Sequence, residues 1–435
     1  MTRVAILPAD HVLDLVLNRR PGRLWAASFA GALTLTILLA AGVVVLLVRG
    51  VGIWGIDMPV AWGFAITDYV WWIGIGMGGT FISAALYLTR QPWRTALSRY
   101  AEAMTVFAVS VSGIFPILHL GRPWFFYWLM PYPDRIGLWP QWRSSLSWDF
   151  FAITAYLIVS VLYFYMGMLP DMAALRDGAR SRGRQVVYGL LALGWRGEAR
   201  HWQRHRTLML LWAAVAVPLV FSVHSMVALD FSVGQVAGWH STIFPPFFVA
   251  GALFSGCAMV LVLGIPMRRS LGLETIITID HFEKLARLML AIGLIVAYGY
   301  VMEVFTAYYS GDAQEIALAR NRFGGAYAWV YWSTIGCNSL ALQALWWRRV
   351  RTSLPALMVV GILVLVGMWM ERFMLIVTSI YRERLPSSWG MFYPTLWDFA
   401  FLFGSIGLFL ALFLLFVRYL PVLPVFELRQ EGETP

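Results

Sequence analysis

The chain has 435 residues, 60% of them hydrophobic and only 13% charged, with a formal net charge of +10. A soluble domain carries about 25% charged residues, so the composition excludes an ordinary water-soluble fold and points to a polytopic membrane protein. The positive balance is read as topology, because basic residues collect in cytoplasmic loops. There is no basic domain that would make a nucleic-acid partner.

Ten spanning helices are predicted, near residues 24–48, 66–89, 100–120, 149–170, 207–229, 244–264, 281–306, 327–347, 355–378 and 396–418. Each is long enough to cross a hydrocarbon layer roughly 30 Å thick. Backbone groups in lipid must be satisfied internally, which makes spans of this length helices. The chain divides into an N-terminal segment with the first span (1–65), two bundles (66–230 and 231–378), and a last span with its tail (379–435). The first 23 residues carry four arginines and no sustained apolar core, so no cleavable signal peptide is expected.

Lysine and arginine are concentrated in the N-terminal segment and the even-numbered loops, above all in Asp171–Arg206, which holds eight arginines in 36 residues. This asymmetry predicts that both termini are cytoplasmic. Segments 121–148, 230–243, 307–326 and 379–395 then face outward. They are rich in tryptophan, tyrosine, proline and glycine. Part of that content is an interfacial aromatic belt. Segment 121–148 is too dense in rigid, bulky groups for a solvated loop, and it is predicted to be an ordered cap on which another protein docks.

The two cysteines, Cys257 and Cys337, lie inside apolar segments and form no CxxC pair. No spacing suits zinc or an iron–sulfur cluster, and no metal site is expected. Paired deep histidines for a transmembrane di-haem are also missing, so any redox cofactor must sit on a partner.

Ionisable groups in spans are costly, and each is a functional candidate. Asp68, His119, Arg122, Asp149, Asp230 and His240 all fall at the predicted outer boundary. Singly, Asp68 and Asp149 read equally well as helix N-caps. His119 and Arg122 share a face if their helix continues. As a set, carboxylates and imidazoles at an apolar boundary suit a quinone head group, whose oxygens take hydrogen bonds and whose oxidation releases two protons. Deeper lie Glu303 and the pair Glu371–Arg372, read either as a structural ion pair or as part of a proton path. Gly74 and Gly78 form a GxxxG, a common helix-packing pattern.

The segments "ITDYVWWIGIGMGGTFISAALYLTRQPWRTALSRYAEAMTVFA", "HLGRPWFFYWLMPYP", "RSSLSWDFFAITAYLIVSVLYFYMGMLPDMAALRD", "WHSTIFPPFFVAGALFSG" and "ERFMLIVTSIYRERLPSSWGMFYPTLWD" run from about residue 57 to 399. Through them the chain resembles the polysulfide-reductase membrane subunit (NrfD/PsrC) family, and within it the ActC branch of alternative complex III. It departs at Met77, where related sequences often carry histidine. The resemblance implies an all-α membrane fold of two four-helix bundles, helices 2–5 and 6–9, flanked by helices 1 and 10. It implies a quinol or menaquinol substrate, with His119, Asp149 and Asp230 as catalytic residues and Asp68, Arg122 and His240 around them. It also implies iron–sulfur clusters and haem c on partner subunits: an ActB-like iron–sulfur protein on the periplasmic face, a homologous ActF-like membrane subunit and multihaem cytochromes c. The family is also proposed to move protons, with Glu303, Glu371 and Arg372 as the matching candidates here. The implied location is the bacterial inner membrane. Three rival readings remain: the membrane subunit of another molybdopterin or iron–sulfur enzyme, a secondary transporter with broken helices and a polar site at the bilayer midplane, and a purely structural anchor.

Overall fold

A computed structural model of the chain describes residues 8–19, 21–129, 144–382 and 385–433. Every regular element among them is helical. In chain order these are α1 (Pro8–Leu17), α2 (Arg23–Arg49), α3 (Phe64–Leu88), α4 (Ser98–His119), α5 (Ser145–Gly178), α6 (Arg182–Leu191), α7 (Ala199–Ser232), α8 (Phe244–Leu271), α9 (Ile279–Ser310), α10 (Ala313–Gly324), α11 (Ala328–Ile335), the single turn α12 (Arg348–Arg351), α13 (Leu354–Ile380), α14 (Leu396–Tyr419) and α15 (Val425–Glu433). Among the described residues nine helices are long and apolar enough to cross a membrane: α2, α3, α4, α5, α7, α8, α9, α13 and α14. The chain is a multi-pass membrane protein.

The predicted eighth span, 327–347, is not one continuous α-helix. After α11 the backbone widens into a π-helical stretch at Gly336–Leu340 and then tightens into a 3-10 stretch at Ala341–Trp346. The cause is local. Asn338 at the wide turn is buried and donates its amide to the Tyr300 hydroxyl at 2.8 Å. Gly367 of α13 packs so closely on Cys337 and Asn338 that a Cβ there would collide with both. Wide turns of this kind recur at functional positions.

Helices α3, α4, α5 and α7 pack together, as do α8, α9, α13 and the irregular 328–346 segment. Helix α2 lies against α14, which also touches α3 and α4. This packing is compatible with two four-helix groups and two flanking helices. Helix α3 is the hinge of the arrangement, because it also packs on α8 and α13. The GxxxG glycine Gly78 explains that contact: its backbone meets Gly256 of α8 with no room for a Cβ on either side. Small residues at such crossings let backbones approach. Gly78→Val is expected to push α3 and α8 apart and cost about 1–3 kcal/mol, read as a lowered thermal unfolding midpoint of the solubilised protein.

Tryptophan serves as cross-helix glue as well as belt. Trp71 Nε1 donates to the Leu365 carbonyl at 3.1 Å, Trp72 Nε1 to Ser405 Oγ at 2.9 Å, and Trp239 Nε1 to the Leu375 carbonyl at 2.6 Å. Interhelical hydrogen bonds in membranes average about 0.6 kcal/mol each, so their main effect here is to fix register.

Two other features differ from the sequence reading. Segment 171–206 is not an open loop: α5 runs on to Gly178, α6 follows, and α7 starts at Ala199. Asp171 is buried there, accepting from Arg99 Nη2 at 3.0 Å and from the Phe426 backbone N–H at 3.3 Å. Segment 307–326 contains α10, whose N-cap Asp312 accepts from the Gln314 and Glu315 N–H groups at 2.7 and 3.1 Å. Of the predicted cap 121–148, Pro123–Leu129 forms a 3-10 stretch, and residues 130–143 lie outside the described residues.

Candidate functional site

The chain alternates direction, so α3 begins, α4 ends, α5 begins and α7 ends at one tryptophan-rich end of the molecule. Six sequence candidates fall at that end. The structure divides them among four settings.

The first setting is a carboxyl pair. Asp149, five residues into α5, and Asp230, near the end of α7, lie within hydrogen-bonding reach of each other. Tyr69 of α3 donates its hydroxyl to Asp149 Oδ2 at 2.5 Å. The Ser112 hydroxyl donates to the Tyr69 carbonyl at 3.0 Å. One oxygen of each carboxyl, Asp149 Oδ1 and Asp230 Oδ1, is buried with no donor among the described residues. Two carboxylates offer only acceptors, so a hydrogen bond between them requires a shared proton. Asp149 is only 7% exposed, while Trp148 and Phe151 beside it expose 45% and 37% of their surfaces. The pair therefore lies just under an aromatic outer face of α5.

Asp68 precedes Tyr69 and points another way. Its Oδ1 accepts from Trp369 Nε1 of α13 at 2.7 Å, and its Oδ2 is buried without a donor among the described residues. Neither Asp68 nor Asp149 is an N-cap, since each lies one turn inside its helix. Asp398 is the acid that belongs to a helix start. It closes a capping box with Thr395 on α14 and accepts the Gly55 N–H at 2.8 Å.

His119 is the last residue of α4 and stacks on Trp54, with ring centroids 5.9 Å apart and planes at 16°. Its Nδ1 is buried without a partner, and no hydrogen bond joins it to either carboxyl among the described residues. The conditional expectation that His119 and Arg122 share a helix face is not met. Gly121 takes a φ of +70°, a conformation that glycine reaches without strain, and the helix ends before Arg122, which is exposed.

His240 is exposed in the loop between α7 and α8, with Nδ1 3.1 Å from the Gly234 carbonyl oxygen. It lines an open cleft of about 420 Å³ together with Asp312 and Glu315. Burial raises the Glu315 carboxyl above the usual carboxylate range, and the Gly238 N–H, 3.0 Å from Oε1, offsets this in part.

The deeper candidates also separate. Glu303 pairs with Arg322 of α10, which donates as well to Ser379 Oγ at 3.1 Å. Glu371 Oε1 lies 3.1 Å from Arg372 Nη1, and Tyr300 donates its hydroxyl to Glu371. The Arg372 guanidinium lies over the Phe248 ring at 4.2 Å, in space that Gly251 leaves open. His224 is fully buried near the same ring, with neither nitrogen hydrogen-bonded among the described residues.

Sequence reasoning missed Tyr69, Trp369, Tyr300 and Asn338. Tyr69 stands in an aromatic run, and Trp369 in the middle of an apolar span. Tyr300 and Asn338 stand in apolar spans where nothing marks a partner. It also left unused a buried triad at the opposite end, Arg99, Glu102 and Asp171. Its legible signal was an arginine and a glutamate three apart at the start of a span.

Comparison with known proteins adds the family. The family described as Polysulphide reductase, NrfD matches residues 53–382. A putative dimethyl sulfoxide reductase membrane subunit of Halobacterium salinarum is 26% identical over 364 residues, 80% of this chain and 78% of the relative. A selenate reductase subunit of Mesobacillus selenatarsenatis is 25% identical over 242 residues, 53% of this chain and 54% of that relative. With the family match running from just after α2 through α13 and the helices packed as described, the chain belongs to the polysulphide reductase NrfD family of membrane subunits.

Proposed function

We propose that the chain is the quinol-oxidising membrane subunit of a quinol:acceptor oxidoreductase, and that Asp149 and Asp230 take the quinol's protons. The observation that supports this most directly is the buried carboxyl pair, each acid with one oxygen that has no donor among the described residues, with Tyr69 bonded to Asp149 just beneath the exposed Trp148 and Phe151. A quinol arriving from the lipid brings two hydroxyl donors, which such oxygens accept. Oxidation breaks two O–H bonds and yields quinone, two protons and two electrons. One proton passes to the carboxyl pair and onward at each step, and the electrons leave to a cofactor on a partner subunit. The positive-inside count favours the outer side of a bacterial cell membrane for this site, with both termini cytoplasmic, so the protons exit outward.

The acceptor has two readings. The sequence resemblance favours alternative complex III, in which an iron–sulfur subunit passes electrons to haem c. The relatives named as subunits of dimethyl sulfoxide and selenate reductases favour a molybdenum-type reductase complex. A reductase consumes electrons, and in the membrane a quinol supplies them, so the carboxyl chemistry is common to both. The test is purification of the complex from its native membrane, with mass spectrometry of every subunit and quinol oxidation measured on the same sample. Multihaem cytochromes and quinol turnover support the first reading. A molybdopterin subunit with quinol turnover supports the second. An intact complex that turns over no quinol refutes the proposal.

A further inference from the structure

A second binding feature lies at the opposite, arginine-rich end. Where α2 begins and α8 and α14 end, a cleft of about 710 Å³ opens between them under α1. Its walls are apolar: Leu24, Leu263, Leu271, Leu410, Phe413 and Leu414. Its mouth carries Arg19, Arg23 and Arg418 and no acidic residue. None of these arginines has a carboxylate partner among the described residues. Arg19 donates to the Ser270 carbonyl at 2.9 Å and Arg418 to the Val16 carbonyl at 3.2 Å, both neutral acceptors. The first turn of α2 has no side-chain cap, so its free N–H groups add to the same positive field.

Placement decides what fits. Arg23 is the first residue of α2 and Arg418 is next to last in α14, so the cations stand at the level where spanning helices leave the hydrocarbon. From Arg418 back to Leu410, and from Leu271 back to Leu263, the walls descend about 12 Å at 1.5 Å per residue. One leaflet's hydrocarbon is roughly 15 Å deep, half of the roughly 30 Å core. A free anion would leave the apolar walls uncovered, and a neutral quinone would leave the arginines unpaired.

We propose that this cleft is a binding site for one anionic phospholipid, its phosphate held by Arg19, Arg23 and Arg418 and an acyl chain lying between α2, α8 and α14. Basic pockets between spanning helices take lipid phosphates in this way. The bound lipid would tie α1 and the start of α2 to the ends of α8 and α14.

The test is native mass spectrometry of the full chain in its purified complex, titrated with phosphatidylglycerol and with phosphatidylcholine. Phosphatidylglycerol is expected to bind at least tenfold more tightly. Arg23→Gln, at a side chain with no hydrogen bond to break, is expected to weaken phosphatidylglycerol about fivefold and leave phosphatidylcholine unchanged. Ser28→Trp, which fills the cleft, is expected to abolish the retained lipid. Equal affinity for the two lipids overturns the proposal. So does displacement of phosphatidylglycerol by inorganic phosphate or by a quinone at equal concentration, or a Ser28→Cys thiol shielded in the complex by a protein partner.

Discussion

Asp149→Asn and Asp230→Asn are each expected to lower quinol oxidation by about a hundredfold or more, in complexes that still assemble. A positioned proton acceptor contributes roughly 10²–10⁴ in rate, and an amide cannot accept the quinol proton at neutral pH. The two acids sit within reach of each other, so they act as a unit, and the double variant is expected to lose little beyond the worse single one. Tyr69→Phe keeps both acids and removes only the donor that orients Asp149. It is expected to cost about tenfold, the scale of one hydrogen bond to a charged group. His119→Ala is expected to fall less than either aspartate change, because His119 is stacked on Trp54 and bonds neither acid. The measurement is turnover against quinol concentration, with the assembly of the complex checked on the same samples. Near-native turnover in both aspartate variants would show the pair to be structural. A larger loss in His119→Ala than in Asp149→Asn would move the first proton acceptor to the histidine.

The spans were readable because apolar length is a strong signal in a chain that is 13% charged. The eighth span was not, because its break depends on Asn338 reaching Tyr300 across the bundle, which no local pattern announces. The candidate acids were readable for the same reason the spans were: a carboxylate in an apolar run stands out. Their partners were not. Asp68 and Tyr69 are neighbours in sequence, yet helical geometry turns one toward Trp369 of α13 and the other toward Asp149 of α5. A boundary level can be inferred from helix ends. Which side chains meet at that level depends on helix rotation and on the crossing of α3 with its neighbours, set by contacts such as Gly78 on Gly256. His240 shows the limit: it shares the level of the acids but faces a surface cleft.

Arg372→Met alone and Glu371→Gln alone are each expected to destabilise the protein by about 3–5 kcal/mol, the cost of leaving one buried charge unpaired. The pair is sealed: Glu371 is 0% exposed and Arg372 2%. Arg372 would keep the Phe248 face but lose its anion, and Glu371 would keep the Tyr300 hydroxyl but lose its cation. The double variant Glu371→Leu with Arg372→Met removes both charges and fills similar volume. It is expected to recover most of the lost stability, because a buried pair seldom outperforms well-packed apolar groups. Thermal unfolding of the solubilised protein reads this term, and turnover with proton release in reconstituted vesicles reads the other. If the pair only holds α13 against α8 and α9, stability and function return together in the double variant. If Glu371 carries protons, stability returns while proton movement stays lost, because Tyr300 and Asn338 alone offer no carboxyl to load and unload. If the single variants are as stable as the native protein, the structural role falls, and the two charges find water or other partners at that depth.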